Sequence, residues 1–412
     1  MSATAGNLFR RRRPASWTDG DRPATPGDRR LVAWVDEDRS WGAEWRSSPL
    51  GPPVWDQVLL APIRDILGRP GKSFRANLVR ASFALVNDTE SPPPQLPAAL
   101  EILHAGSLIV DDIADQSRER RGGPCVHLTF GIPRALNAGN YMYFWALELL
   151  SEVALPPAAS RALLRRANRT MLDCHRGQAL DLGLVVGGLR RESLVDAATE
   201  ISSLKTGALM ALGAYAGVVA AGADAAQEAA AERFGMRLGI ALQKLDDLGN
   251  LTSRHAPGKR FEDLRAGRIT WAWAWAAEAL GARDFAELEA RARRVRLAAG
   301  AGPPNGLPPS SSPSPSPSPS GAGRTEDVAA VAAVAAILAG PPAAGELTGD
   351  RALEAELVSL AEDLSMCVGL HRRGDIRAEL AATLADLRAV FGNKPAIRVL
   401  ARDMERLEAS YG

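Results

Sequence analysis

Two aspartate clusters, each closing a long apolar stretch, constrain this chain more than any other feature. Asp111, Asp112 and Asp115 end the run EILHAGSLIVDDIAD, and Asp246 and Asp247 stand near the end of FGMRLGIALQKLDDLGN. Apolar residues recur at helical spacing in both runs, so each cluster is expected to project from the end of a buried helix. Residues i and i+4 share a helix face, which sets Asp111 beside Asp115. Carboxylates at that spacing repel one another unless a hard cation bridges them, and a buried one without a partner is costly. Mg²⁺ takes few protein carboxylates and completes its shell with water and phosphate oxygens. Two such clusters facing each other would form a cage for a diphosphate. A single cluster reads more readily as a solvated helix face or a cap; two of them on apolar helices favour the metal reading.

Almost every other segment also reads as helix. Ala and Leu abound, aromatics make up 5% of the chain, and runs of alternating apolar residues are missing. The hydrophobic fraction of 46% can fill a large core. Long helices with interior carboxylates match an all-α bundle with a central active-site cavity. The net charge of +1 supplies no global field toward nucleic acid. No run of about 18 apolar residues free of charge suggests a membrane span. Cys125, Cys174 and Cys367 are widely spaced, as expected of reduced thiols in a cytoplasmic protein.

The residues flanking the clusters resemble the trans-isoprenyl diphosphate synthases of the polyprenyl synthetase family, with motifs in family order from about residue 55 to 290. GKSFR keeps the Lys72-x-x-Arg75 spacing of that family, and His104 precedes the first cluster. Arg120-Arg121-Gly122, Pro124, His127 and Phe130-Gly131 follow the family's RRGxPxxHxxFG run. Gly177-Gln178 with Asp181, then Lys205-Thr206-Gly207, then Gln243 ahead of the second cluster continue the likeness, and Lys259 and Arg268 stand where the family places two basic residues. Three positions depart from the pattern. Asn250 replaces the usual third aspartate of the second cluster, Arg268 replaces a commoner Lys, and GKSFR lacks the commoner Gly-Gly-Lys-Arg opening.

The resemblance, in its geranylgeranyl diphosphate synthase-like form, implies a prenyltransferase. Such an enzyme condenses isopentenyl diphosphate with an allylic diphosphate, head to tail, on an isoprenoid synthase-type helical bundle. It implies Mg²⁺, three ions per active site, held by Asp111, Asp112, Asp115 and Asp246, with Asp247 assisting. Arg120, Lys205, Lys259 and Arg268 would grip the allylic diphosphate. Lys72, Arg75, His104 and Arg121 would hold isopentenyl diphosphate, and Gln178, Asp181, Thr206 and Gln243 would orient intermediates. Gly106 and Ser107, small residues just before the first cluster, imply a product longer than those made where bulky aromatics stand there, and geranylgeranyl diphosphate is the expected one. Tyr141 to Trp145 hold candidates for the tunnel floor, with ordinary core or dimer packing an equal reading of each. A homodimer is expected, without nucleic acid or membrane span. A class I terpene cyclase on the same fold and a non-catalytic regulatory subunit are the alternatives. The retained Lys72, Arg75, His104 and Arg121 speak against the first, and the complete first cluster against the second.

Two stretches fall outside the helical pattern. Residues 1–50 carry Arg10 to Arg13 in a row and isolated Trp17, Trp34, Trp41 and Trp45 without periodicity. They read as a disordered tail able to dock a protein partner or a protein shell. Residues 300–325 include SSSPSPSPSPSGAG, expected as a disordered loop inserted into the 51–412 helical domain. A turn is expected across 340–349.

Overall fold

The computed structural model describes residues 31, 48–251, 261–300, 347–369 and 371–410. Lys259, the Pro/Ser repeat, and the arginine run and four tryptophans of the tail lie outside the described residues. Leu31, inside the stretch expected as tail, is helical and buried against the N-terminal part of the core.

The described chain is helical apart from one two-stranded hairpin. α1 (Gly51–Trp55) passes through a π-helical turn (Asp56–Leu60) into α2 (Ala61–Gly68), followed by α3 (Phe74–Val86) and α4 (Gln95–Ala114). The hairpin pairs β1 (Glu119–Arg120) with β2 (Gly123–Pro124). Its two central residues, Arg121 at φ +52° and Gly122 at φ +76°, are both left-handed, as the tightest hairpin turns require. Then come α5 (Val126–Phe130), α6 (Ile132–Ser151), α7 (Pro157–Gly183), α8 (Leu194–Ile201), a π-helical turn (Ser202–Gly207), α9 (Ala208–Ala220) and α10 (Ala225–Leu251). α11 (Glu262–Ala266), α12 (Trp271–Ala279) and α13 (Ala282–Ala298) follow, and α14 (Leu347–Val368), α15 (His371–Phe391) and α16 (Pro395–Ser410) complete the described chain. α14 begins inside the expected 340–349 turn. A glycine in a helix costs only about 0.5–1 kcal/mol relative to alanine, so Gly349 does not stop it.

α9 organises the core because ALMALGAYAGVVA is apolar on every side, the mark of a helix surrounded by others. Leu209, Leu212 and Ala216 face an apolar cluster with α2, α4 and α6, while Met210, Ala214 and Val218 face a second with α3, α8, α10, α12 and the C-terminal helices. Among the described residues, Arg191–Ala220 is the one run long and apolar enough to cross a membrane, and most of it is buried within the protein. α16 packs on α3, itself packed on α4, and α15 packs on α10, which carries the second aspartate cluster.

Candidate active site

α4 and α10 carry the aspartates because their apolar faces are buried and their last turns are acidic. Asp111 is partly exposed near the end of α4. Its Oδ1 accepts a hydrogen bond from Gln178 Nε2 of α7 at 2.9 Å and lies 3.2 Å from Lys205 Nζ. Asp112 is fully buried, and its Oδ1 accepts from Arg120 Nε at 2.8 Å, reached from the hairpin. Asp115 caps the C-terminus of α4 and accepts from the guanidinium of Arg268, which also donates to the Asp181 carbonyl.

Lys205 stands in the Ser202–Gly207 π turn and donates to Asp181 Oδ2 at 2.6 Å. Two glycines admit that turn between its neighbours. A Cβ at Gly177 of α7 would land on the backbone nitrogen of Lys205, and one at Gly239 of α10 would stand 2.6 Å from Gly207 Cα. The next residue, Thr206, donates from Oγ1 to Gln243 Oε1 at 2.7 Å. Gln243 Nε2 donates to Asp247 Oδ1 at 2.8 Å. Asp247 is buried, and its Oδ2 accepts from the main-chain N–H of Trp271 at 2.7 Å. Asp246 is half-buried on the same helix.

A basic group lies around His104, two helical turns before Asp111 on the same face of α4. His104, Arg75, Arg121 and Arg120 are close enough that, beyond burial, the three guanidinium charges hold the imidazole well below its usual range. His104 is therefore neutral at pH 7. Burial also lowers the Arg121 guanidinium, with Glu101 opposing. Glu101 Oε1 accepts from the Ala76 N–H at 2.9 Å in the first turn of α3, beside Arg75. Lys72 precedes that helix and donates to Ser410 Oγ at 2.6 Å. Its ammonium is lowered by burial, partly offset by Asp246.

The charges in the aspartate region do not balance one another evenly. Burial raises the Asp111 carboxyl, but Lys205, Arg120 and the Gln178 hydrogen bond outweigh it and leave the group below its ordinary value. Burial and the Asp111 charge push Asp115 up to about 7 despite Arg268 and Lys205. Burial likewise lifts Asp247 to about 7, and Asp263 of α11 rises well above its ordinary range through burial and the charges of Asp247, Asp181 and Asp246. Burial lowers Lys205, but Asp111 and Asp181 win and hold it above its usual value. Sequence reasoning passed over Asp263 and Trp271, although the TWAWAW run carrying the latter is conspicuous.

These groups fit a hard divalent ion. The donors are oxygens, burial and neighbouring negative charge raise three carboxyls above their ordinary values, a repulsion that a cation relieves, and Asp112 Oδ2 and Asn250 Oδ1 are buried without a hydrogen bond among the described residues. No three His, Cys, Asp or Glu side chains among the described residues converge on one point. The protein alone offers part of a coordination shell, which leaves room for phosphate oxygens and water.

Below Asp111, Gly106 serves the α4–α6 contact rather than opening space. A Cβ there would stand 2.8 Å from the Gly139 carbonyl oxygen and 2.9 Å from Met142 Cβ. Ser107 is half-buried, with its hydroxyl donated to the His104 carbonyl at 2.8 Å. Of the five aromatic-rich positions on α6, Met142, Tyr143 and Trp145 are buried, Tyr141 is half-buried and Phe144 is 70% exposed. Tyr143 lies near enough to Asp111 to feel its charge and meets the His175 ring edge-on at 5.6 Å.

The sequence model of the family described as polyprenyl synthetase matches residues 56–294. Among curated proteins, the chain is 36% identical over 139 residues to a geranylgeranyl pyrophosphate synthase of Eremothecium gossypii, covering 32% of this chain and 43% of that one. It is 33% identical over 219 residues to geranylgeranyl pyrophosphate synthase 2 of Zymoseptoria tritici, covering 52% of this chain and 63% of that one. The chain thus spans less than two thirds of the length of these relatives. Among solved structures, a geranylgeranyl pyrophosphate synthase from Lactobacillus brevis superposes with a TM-score of 0.60 at 20% identity, over 92% of this chain and 96% of that one. A polyprenyl synthase from Caulobacter crescentus, complexed with calcium and isoprenyl diphosphate, superposes at 0.59 and 20% identity over 94% and 98%. A decaprenyl diphosphate synthase from Rhodobacter capsulatus superposes at 0.61 and 18% identity over 93% and 99%. The all-α bundle described above is the isoprenoid synthase fold.

Proposed function

Given that the chain belongs to the polyprenyl synthetase family, we propose that it is a trans-prenyltransferase joining isopentenyl diphosphate to an allylic diphosphate. The observation that carries this reading is a second charged group beside the carboxylates. Carboxylates paired with Lys205 and Arg268 stand near the C-terminal end of α4, and Arg75, Arg121 and Arg120 crowd neutral His104 two turns earlier on the same helix. An enzyme that only ionises one diphosphate has no use for the second group.

Family membership implies Mg²⁺ dependence, and Asp111, Asp115 and Asp246 are the residues to hold the ions, with Asp112 supporting them. The metal supplies charge neutralisation on the departing diphosphate. Lys205, Arg120 and Arg268, now bound to carboxylates, are placed to transfer to phosphate oxygens as these develop charge, and the sequence pattern assigns Lys259 the same task. Gln178 orients Asp111, while Thr206 and Gln243 orient Asp247. Lys72, Arg75, His104 and Arg121 hold isopentenyl diphosphate with its double bond toward the allylic carbon. As the allylic C–O bond breaks, the double bond supplies the electron pair for the new C–C bond. Loss of a proton to the released pyrophosphate restores the alkene, so no side-chain base is required.

Tyr143, buried near Asp111 and braced by His175, sets the floor of the chain-elongation tunnel, and geranylgeranyl diphosphate is the product we assign. Exposed Phe144 on α6 and Leu172 on α7 form an apolar face suited to a second copy of the chain. We assign the enzyme to the cytoplasm, the compartment that its three widely spaced cysteines, expected as reduced thiols, suit.

Purified protein with Mg²⁺, labelled isopentenyl diphosphate and each allylic primer in turn tests the reading, with dephosphorylated products read by mass spectrometry. One dominant prenyl alcohol is expected. A hydrocarbon made from a prenyl diphosphate alone would mean a cyclase, and no turnover with any primer would return the chain to a regulatory role.

A further inference from the structure

Trp271 joins two walls of the site through two different N–H groups. Its main-chain N–H is the first of α12. The residue before it, Thr270, makes no side-chain cap, so Asp247 Oδ2 accepts that hydrogen bond instead, at 2.7 Å. A carboxylate at that position also faces the positive end of the helix dipole. With its other oxygen bound to Gln243, Asp247 has both oxygens engaged by protein donors. The indole Nε1–H of Trp271 points elsewhere and donates to Ser202 Oγ at 2.8 Å. Ser202 is buried and opens the π turn that presents Lys205 and Thr206.

The ring is clamped by Lys244 and Trp275, which are held in turn by Glu379 and Arg372, beyond the family-matched region. Lys244 Nζ stands 4.5 Å from its centroid, and the same ammonium lies 2.8 Å from each carboxylate oxygen of Glu379 on α15. Trp275, one turn along α12, lies 5.7 Å from Trp271 ring to ring and carries Arg372 at 5.3 Å from its own centroid. A desolvated cation over an indole face is attracted by the ring quadrupole, which fixes the ring's position. Trp273 takes no part in this clamp: it is fully buried and meets Phe285 edge-on.

We propose that Trp271 is a positioning residue for the diphosphate site, setting the distance between Asp247 on α10 and the turn that carries Lys205 and Thr206, with Glu379 bracing it through Lys244. The proposal rests on the prenyltransferase reading above. It extends that reading to a side chain that touches neither metal nor substrate. Trp271→Phe keeps the ring and the main-chain N–H but removes the bond to Ser202. Ser202→Ala removes the same bond from the other end with little risk to folding.

The test is calorimetric binding of inorganic pyrophosphate in excess Mn²⁺, alongside the KM for each substrate, on wild type, the two single variants and their double. Each single variant is expected to weaken pyrophosphate binding about three- to tenfold and to raise the allylic KM similarly. The KM for isopentenyl diphosphate should stay within twofold, because both hydrogen bonds of Trp271 go to Asp247 and Ser202. The double variant should be no worse than the worse single, since both remove one bond. Glu379→Gln should produce a smaller shift in the same direction. Single variants that bind pyrophosphate as wild type does, or that weaken both substrates equally with additive effects, overturn the proposal. Wild type that binds pyrophosphate but incorporates no isopentenyl units would sink the prenyltransferase reading instead, while the binding series still decides the role of Trp271.

Discussion

The ammonium of Lys205 lies 3.2 Å from Oδ1 of Asp111, joining the π turn to the first aspartate cluster. The same nitrogen reaches Asp181 at 2.6 Å, so one cation serves two carboxylates from α4 and α7. Both acids are largely withdrawn from water, where an uncompensated charge is costly. Lys205→Met is therefore expected to lose at least about a hundredfold in the rate of isopentenyl incorporation, the scale of removing one donor to a developing anion. Single-turnover incorporation of label measures it. A variant within about fivefold of wild type would remove Lys205 from the allylic site.

Asn250 stands one helical turn beyond Asp246, and its buried Oδ1 accepts no hydrogen bond among the described residues. Asn250→Asp adds a charge where Asp247 and Asp263 already resist ionisation. Without metal the variant should melt lower than wild type. With Mg²⁺ the order should reverse, and half-saturation by Mg²⁺ should come at about three- to tenfold lower concentration. Thermal melts across a Mg²⁺ titration test this, and equal responses of the two proteins would show that position 250 does not face the metal.

His104 is held well below its usual range by burial and by Arg75, Arg121 and Arg120. Its folded-state pKa is depressed, so below about pH 6.5 the unfolded chain binds a proton that the folded chain refuses. The histidine's contribution to stability is thus complete above the unfolded pKa and falls as pH drops beneath it, by at most about 1.4 kcal/mol per pH unit. His104→Gln should remove that slope. Urea midpoints of the metal-free proteins between pH 5 and 7 should show the difference between variant and wild type growing toward acid, and parallel curves would show that His104 takes up its proton as readily in the folded chain as in the unfolded one.

Tyr143 is a buried aromatic of α6 close enough to Asp111 to feel its charge. Tyr143→Ala is expected to shift the main product to a longer prenyl alcohol, with incorporation per enzyme maintained within about threefold. Phe144→Ala, at an exposed position on the same helix, should leave product length unchanged unless a second copy of the chain places its phenyl ring in the tunnel. Mass spectra of the alcohols separate these outcomes.

The sequence by itself determined the helices and where their acidic ends lie. Apolar residues at helical spacing are a local signal, and the approach to Asp111 and Asp246 carries it over several turns, which makes α4 and α10 legible from their own residues. The motif residues Arg120, Gln178 and Lys205 are legible as a set for the same reason: each is recognised by its own neighbours in the chain. Which partners they meet is not. Arg268 reaching Asp115, Arg120 reaching Asp112, and Gly106 abutting Gly139 depend on how separate helices pack. So does the link from Glu379 through Lys244 and Trp271 to Ser202. Those contacts join residues scattered along the chain, and no local pattern encodes them, because their distances follow from the packing of α9 against everything around it. Tertiary structure alone decided that the last helices of the chain brace the site.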